Sequence, residues 1–420
     1  MQNQLREQAE KVIARCRYLA QFTEEPGQIK RTFLSLAMRE CMQAVQGWME
    51  AAGMQVVTDA AGNLRGRYPG SSNTSLMIGS HLDTVPNSGA FDGVLGVMMG
   101  LALIEALERE KLPFAIELVA FSEEEGVRYR LPFIGSRALV GRLDAELLAA
   151  TDGDGISLVH ALTSFGLDPS RLDQCVVSDD VAGYLEFHIE QGVLLESEDK
   201  SLAVVRAIAG QSRAEITFTG RARHAGTTPM RLRNDAVAGA AEWISEVERV
   251  GLGTPGLVAT VVDLRTHPGA GNVVAGQLRA SLDVRHGEDT VRHQAVDHLL
   301  AEALSIARRR GLTTVSKMLL DQPAVRMDTR CCELATDAIR NIGIEPVSMV
   351  SGAGHDAMIL AERVPSTMIF LRSPGGISHH PDETVRPEDV ENALAAGLAF
   401  LRNFDSCYAP PVKEQSTPHV

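Results

Sequence analysis

The apolar positions of the chain follow two different periods, and the change of period marks its elements. Residues 33–52, "FLSLAMRECMQAVQGWMEAA", place Leu34, Met38, Cys41, Val45, Trp48 and Met49 three and four residues apart. That is the spacing of one helix face, and Gly53 supplies the stop. "MQVVTDAAGNLRGRYPG" then reads as a strand, an AGN turn and a second strand. "SLMIGSH" is a short apolar strand, and "GVLGVMMGLALIEALERE" is a helix apolar on nearly every side at its start, which predicts burial. "FAIELVAFSEEEG" is a strand ending in three glutamates. Strands alternating with helices predict an α/β fold with a mainly parallel sheet flanked by helices.

The texture changes after residue 209. "SRAEITFTGR" alternates apolar and polar residues, a helix is expected at about 233–250, and "LVATVVDLR" (257–265) alternates again. "QLRASLDVRH", a helix at about 289–310 and "LTTVSKMLLD" follow. Strand, helix, strand, strand, helix, strand is the βαββαβ order of a small α+β sandwich with helices on one face of an antiparallel sheet. After about residue 323 the first texture returns, with a helix at 329–342, "EPVSMV", "VPSTMIFL" and a helix at 387–403. The expected organisation is a larger domain of residues 1–209 and 324–420, with a smaller domain, 210–323, inserted into it. The free sheet face or a helix edge of the insert is a candidate dimer surface. Residues 405–420 hold three prolines and little apolar content, and are expected to be a loose tail.

A chain of 420 residues exceeds one ordinary core, in keeping with two domains. Its 45% hydrophobic content and mean hydropathy near zero fit a globular protein in water. The formal charge of −14 argues against nucleic acid and anionic membrane as partners. It leaves room for a small anionic substrate, because one local arginine overrides a diffuse field. No apolar run is long enough for a membrane span or has the form of a signal peptide. The six scattered cysteines (Cys16, Cys41, Cys175, Cys331, Cys332 and Cys407) form no CxxC pair, which points to reduced thiols and the cytoplasm.

Candidate chemistry lies where apolar strands end, the place where an open α/β sheet has its crevice. His81 follows "LMIGS", Asp92 precedes Gly93, and Glu123–Glu125 close "AIELVAFS". His188 lies in "GYLEFHIEQG", and His379 follows "IFLRSPGGIS". Each has a bland reading: a lone histidine is usually structural, Asp92 could cap a helix, and a glutamate run is usually solvated. Five such positions together point instead to a metal site of imidazoles and carboxylates, which suits zinc, manganese or cobalt. Two adjacent glutamates at a strand end can divide the work. One ligates a divalent ion, and the other accepts a proton from the water that the ion acidifies.

The segments "GSHLDTVPNSGAFDG", "EEEGVRYRLPFIGSRALVG", "FHIEQGVLLES", "GRARHAGTTPMRLRNDA", "GNVVAG", "DVRH", "SGAGHDAM" and "ISHHPDE" run in order from residue 79 to 383. In this order the chain resembles the di-metal amidohydrolases of the aminoacylase and carboxypeptidase G-like superfamily. "HIEQG" and "HAGTTPM" point to its branch of allantoate amidohydrolases and N-carbamoyl-L-amino acid hydrolases. The resemblance implies two divalent ions per subunit, Mn2+ or Zn2+ with Co2+ as a third choice. Asp92 would bridge them, His81 and His188 would complete one ion's protein shell, and Glu125 and His379 the other's. It implies Glu124 as general base and Asp83 as the residue that orients His81. It implies that His224 stabilises the oxyanion, and that Gln211, Asn272, Arg285, Gly354 and His355 contact substrate. His380 is the rival to His379, and the resemblance selects the first. "NVVAG" has alanine where many relatives carry proline, which removes no functional group.

The reaction so implied is hydrolysis of a ureido or carbamoyl C–N bond, with the inserted domain acting as lid and homodimer surface. Allantoate, converted to ureidoglycine (or ureidoglycolate) with release of ammonia and carbon dioxide, is the leading expectation. N-carbamoyl-L-amino acids and β-ureidopropionate are the alternatives. A dipeptidase-like member and a non-catalytic binder on the same fold are the remote ones. The expected partners are a small anionic ureido substrate and a second copy of the chain.

Overall fold

The computed structural model describes residues 2–404. The tail expected at 405–420, with Cys407, lies outside the described residues. The chain forms two compact units. One comprises the described chain up to Arg206, Met327–Met349 and the chain from Gly354; the other is Ala207–Arg326 with Val350–Ala353. The sequence pattern groups Val350–Ala353 with the larger domain. In the structure it joins the smaller unit because Ala209 N donates to Ser351 O at 2.9 Å and Val350 packs on Gly287.

The sheet of the first unit runs in the spatial order Gln55–Thr58, Leu64–Tyr68, Ala115–Phe121, Ser75–His81, Val181–Ile189, Ser366–Leu371, Leu202–Ile208. Parallel pairing joins the four central strands, from Ala115–Phe121 to Ser366–Leu371. The flanking strands pair antiparallel. All four central strands are buried at every position, as parallel strands covered on both faces must be. Their continuous apolar runs in the sequence have this cause.

The helix Val94–Ala106 is buried from Val94 to Ile104. It packs against Ser75–His81 and Val181–Ile189 on the sheet side, and against the helices Gln2–Leu19 and Pro387–Asn403 on the other. That sandwiching explains why it has no polar face. The core there includes Leu103, Phe187, Leu394 and Phe400, none with exposed surface. Truncating Phe400 to alanine would cost about 3–5 kcal/mol. The helix expected from residue 33 starts at Leu36, because Leu34 has φ +56° and the Ser35 side chain caps Met38 N.

The second unit has a four-stranded antiparallel sheet in the order Thr313–Gln322, Gly210–Thr219, Gln277–His286, Val258–His267. The helices Ala236–Gly253 and Asp289–Arg309 pack on it and on each other. Along Gly210–Thr219, Ala214, Ile216 and Phe218 are buried and their neighbours are not, which is the alternation read from the sequence. Trp243, fully buried, donates its Nε1–H to Leu299 O at 2.9 Å and locks the two helices together.

No helix among the described residues is long and apolar enough to cross a membrane. The thiols of Cys16, Cys41, Cys175 and Cys332 are free.

Candidate metal centre

The four parallel strands deliver their carboxyl ends to one edge of the sheet, and every candidate ligand stands there. His81 is the last residue of its strand, and His188 the penultimate residue of Val181–Ile189. Glu123–Glu125 follow Ala115–Phe121, and His379 lies in the loop after Ser366–Leu371. Asp92 returns to His81 through a turn that needs Gly93: its φ is +66°, and a Cβ there would lie 2.4 Å from the His81 ring. The loop 372–386 is anchored at both ends by Arg372, which grips the fully buried Asp389 with Nε at 2.9 Å and Nη2 at 2.8 Å.

Asp92 is the hub. Its Oδ1 lies 3.2 Å from His188 Nε2 and 3.8 Å from His81 Nε2. Its Oδ2 lies 3.1 Å from His379 Nε2. Glu125 Oε1 is 3.7 Å from His379 Nε2, and Glu124 Oε2 is 3.9 Å from His81 Nε2. One carboxylate thus turns one oxygen to a pair of histidines and the other to the third.

The three consecutive glutamates separate by direction. Glu123, at φ +51°, turns away, and its Oε1 accepts Arg128 N at 2.8 Å and Tyr129 N at 3.2 Å. Glu124 and Glu125 face the cluster. Their amides donate to Asp83 Oδ1 at 3.2 Å and Oδ2 at 3.0 Å, so the Asp83 carboxylate holds the glutamate loop. His81 Nδ1 faces the Asp83 main-chain carbonyl at 3.0 Å, closer than the Asp83 carboxylate at 3.7 Å. His188 Nδ1 faces Ile189 O at 2.9 Å. A carbonyl can only accept, so both Nδ1 atoms carry hydrogen, and in the neutral rings the Nε2 lone pairs point into the cluster.

The electrostatics show a surplus of buried negative charge. Burial, then Glu125, Asp356, Asp83 and Asp92, push Glu124 well above the usual carboxylate range. Burial and then Asp92 raise Glu125 to about 8. Burial opposes ionisation of Asp92, but the adjacent imidazoles of His188 and His379 outweigh it and hold Asp92 well below the usual range. Burial also opposes the His188 cation, yet Asp92 raises that imidazole to about 9. Asp92 does the same for His379, to about 9, whereas burial lowers His81.

The cluster fits a pair of divalent cations. Three overlapping groups each bring three ligand atoms within 4.8 Å of one another: His81, Asp92, His188; Asp92, Glu125, His379; and His81, Glu124, Glu125. His188 Nε2 is buried beside Asp92 Oδ1 without a well-directed hydrogen bond, a polar atom that a bound divalent cation would satisfy. The donors are imidazole and carboxylate with no thiolate. His380 stands apart, with Nδ1 accepting the Asp382 amide at 3.2 Å.

Residues that the strand-end pattern does not single out complete the surroundings. Asp92 Oδ2 also accepts Gln191 Nε2 at 2.9 Å and Ser378 Oγ at 3.1 Å. Glu383 Oε1 accepts the amides of Phe91 at 2.8 Å and Asp92 at 3.0 Å. Glu186, fully buried, accepts Ser80 Oγ at 3.1 Å, Tyr184 Oη at 2.9 Å and Ala357 N at 3.1 Å. Gln191 and Glu383 lie within "HIEQG" and "ISHHPDE", where the histidines draw the eye first. Gln191 (φ +59°) and His379 (φ +55°) hold left-handed backbone, the kind of strain that gathers at working sites. His355 is buried with its ring edge-on to His188, centroids 4.5 Å apart, and Gly354 abuts Phe133.

The second unit carries the remaining candidates in two groups. His224 Nδ1 accepts the amides of Gly226 at 3.1 Å and Thr227 at 3.2 Å, which leaves the hydrogen of the neutral ring on the exposed Nε2. Asn272 O accepts Ala225 N at 2.8 Å, and Val273 pairs with His224, so Asn272 and His224 are neighbours. Gln211 and Arg285 stand opposite each other in the sheet register, and both bind Asp283.

The model of peptidase family M20/M25/M40 matches residues 77–403, which include every residue of this centre. An N-carbamoyl-L-amino acid amidohydrolase of Geobacillus stearothermophilus is 38% identical, over 91% of this chain and 95% of its own. Allantoate deiminase 1 of Glycine max is 34% identical, over 94% and 89%. The crystal structure of a hydantoinase/carbamoylase family amidase from Burkholderia multivorans superposes with a TM-score of 0.88 at 32% identity, covering 94% of this chain and 97% of that one. The chain therefore belongs to peptidase family M20/M25/M40, among its amidohydrolases.

Proposed function

We propose that this protein hydrolyses a ureido or carbamoyl C–N bond in a small substrate that bears a carboxylate. The observation that carries the reading is the shared Asp92, with one oxygen toward His81 and His188 and the other toward His379, beside the buried Glu124, whose Oε2 lies 3.9 Å from His81 Nε2. His81, His188 and Asp92 are proposed to hold one divalent ion, and Asp92, Glu125 and His379 a second. Manganese or zinc suits this donor set, and cobalt after them. When bound, such ions supply Lewis acidity toward a carbonyl oxygen and acidify water.

The chain's own groups then have these roles. Glu124 accepts a proton from the attacking water and returns it to the leaving nitrogen, so one carboxylate serves as base and then as acid. The bond between the carbonyl carbon and the substituted nitrogen breaks, and the carbamate released decays to ammonia and carbon dioxide. His224 offers its Nε2–H to the carbonyl oxygen as negative charge builds there. Arg285, with Asn272 and Gln211, takes the substrate carboxylate, and Gly354 and His355 complete the substrate contacts. Asp83 holds the Glu124–Glu125 loop and, through its carbonyl, the His81 ring.

Allantoate leads among substrates, with N-carbamoyl-L-amino acids and β-ureidopropionate next. The curated names of the relatives cover the first two. The deciding experiment strips the protein of metal, reloads it with Mn2+, Zn2+ or Co2+, and assays ammonia release from ureido compounds and free amino acids from dipeptides. The substrates are allantoate, N-carbamoyl-L-amino acids, β-ureidopropionate and dipeptides. No ammonia from any ureido compound under any metal would overturn the reading, and dipeptide cleavage alone would move it to a peptidase.

We also propose a homodimer through the second unit. Its edge strand Val258–His267 carries Val262 at 71% exposure, with Leu264 also exposed, and the helix Ala236–Gly253 carries Leu252 at 84%. Free thiols fit a reducing cytoplasm.

A further inference from the structure

We infer that Asp283 is a positioning residue that presents Arg285 end-on as a receptor for a single carboxylate. The inference deepens the proposed function and rests on its assignment of Arg285 to the substrate carboxylate. Asp283 and Arg285 alternate with the buried Leu282 and Val284 along Gln277–His286, so both project from the face turned away from the unit's core. In the adjacent strand Gly210–Thr219, Gln211 pairs with Arg285 and Arg213 with Asp283. Four polar side chains therefore meet on one patch.

Asp283 organises that patch. Its Oδ1 accepts Arg285 Nε at 2.8 Å, and its Oδ2 accepts Arg285 Nη2 at 3.2 Å. Oδ2 also takes Arg213 Nε at 2.9 Å and Gln211 Nε2 at 2.5 Å. Arg285 Nη1 donates to Gly352 O at 2.7 Å. A guanidinium has five N–H groups, and these contacts use three of them. One hydrogen remains on each of Nη1 and Nη2, and with the Nε–Nη2 edge taken by Asp283 a carboxylate can be met only from the far end of the guanidinium.

The charge balance favours the same ligand. One carboxylate is shared by two guanidinium groups, and the Gly352 carbonyl brings no charge, so the patch keeps one net positive charge within a chain of net charge −14. Asp283 also prevents the alternative in which Arg285 swings toward solvent. An arginine fixed at its Nε edge and at one Nη has little rotamer freedom left to lose on binding.

The test uses the Mn2+-loaded full chain and steady-state kinetics. Substrates are allantoate, N-carbamoyl-L-alanine, and N-carbamoyl-L-alaninamide, which lacks the carboxylate. Asp283→Asn is expected to raise KM for the two acids about 10- to 100-fold, with kcat within about 2-fold, as loss of a charge-assisted hydrogen-bond pair should. The kcat/KM for the amide should stay within about 2-fold on the same grounds. Asp283→Glu should recover part of the lost KM, and combining Asp283→Asn with Arg285→Lys should add little to Arg285→Lys alone. An unchanged or lowered KM for the acids in Asp283→Asn overturns the inference, and a lowered KM would mean that Asp283 competes with substrate. An equal loss for acid and amide also overturns it. Arg285→Ala separates the levels: if it too leaves the acid KM unchanged, the carboxylate-receptor assignment fails, and the inference with it. Failure of the wild type to turn over either acid removes both.

Discussion

Glu383 Oε1 accepts the main-chain amide of Asp92 at 3.0 Å, across 291 residues of sequence. Through Phe91 N at 2.8 Å and Ser378 Oγ at 3.3 Å the same carboxylate ties the Asp92 turn to the loop that carries His379. Gly89 makes room for it, since a Cβ at that position would lie 2.3 Å from Glu383 Cβ. Glu383 touches no candidate ligand atom, yet it sets where Asp92 stands relative to His379.

Glu383→Gln should therefore weaken metal binding about 10- to 100-fold, the usual cost of losing a partner that orients a ligand. Calorimetric titration of the metal-stripped protein with Mn2+ reads this directly. Affinity equal to wild type would show that the turn holds Asp92 unaided.

Glu124→Gln should keep its metal and lose activity by about 10²- to 10⁴-fold, since the amide can neither take nor return a proton. Metal content and kcat measured on the same preparation decide the matter. Loss of metal would exchange the roles of Glu124 and Glu125.

The metal-free protein should lose stability as pH rises. Glu186 and Glu383 are raised to about 7 by burial, and Glu125 to about 8 by burial and Asp92, so each binds its proton more tightly folded than unfolded. Asp92 raises His188 and His379 to about 9, with the same sign. The stability these groups contribute is complete below the ordinary carboxylate range and declines as pH climbs from about 4.5 to 9. Divalent ions replace those protons, so Mn2+ uptake near pH 7 should release protons and flatten the decline. Thermal unfolding across pH, with and without Mn2+, checks both. A metal-free midpoint that rises over that range would contradict the assignment.

Val262→Asp should dissociate the proposed dimer, because a charge on an apolar edge strand has no partner there and must stay hydrated. Sedimentation velocity reads the change. The fold should survive, since Val262 is exposed in the single chain. A wild-type monomer would remove the dimer proposal outright.

How far the sequence reaches differs from element to element. The strand Ser75–His81 and the helix Val94–Ala106 are legible because a fully buried element cannot carry polar side chains, and that constraint is written residue by residue. His81, Asp92, Glu125, His188 and His379 stand out because imidazoles and carboxylates at the ends of apolar strands are costly unless used. Glu383, Ser378 and Gln191 are not legible in the same way. Their partners lie 286, 291 or 99 residues away, and a polar residue in a loop has an ordinary reading until its hydrogen bond is seen. Leu34 shows the limit at short range. Its periodic spacing fits the helix, but a positive φ and the Ser35 cap exclude it.

Local pattern and residue chemistry by themselves determined the α/β class, the change of texture after residue 209 and the set of candidate ligands, because burial and side-chain type act at each position alone. Only the tertiary structure decided which oxygen of Asp92 faces which histidine, and that Asp83 holds His81 by its carbonyl and the glutamates by its carboxylate. Only it decided that Asp283 leaves Arg285 two free hydrogens. Those are matters of direction and distance between distant segments, and a hydrogen bond or a metal ligand is defined by direction and distance, which a linear pattern does not carry.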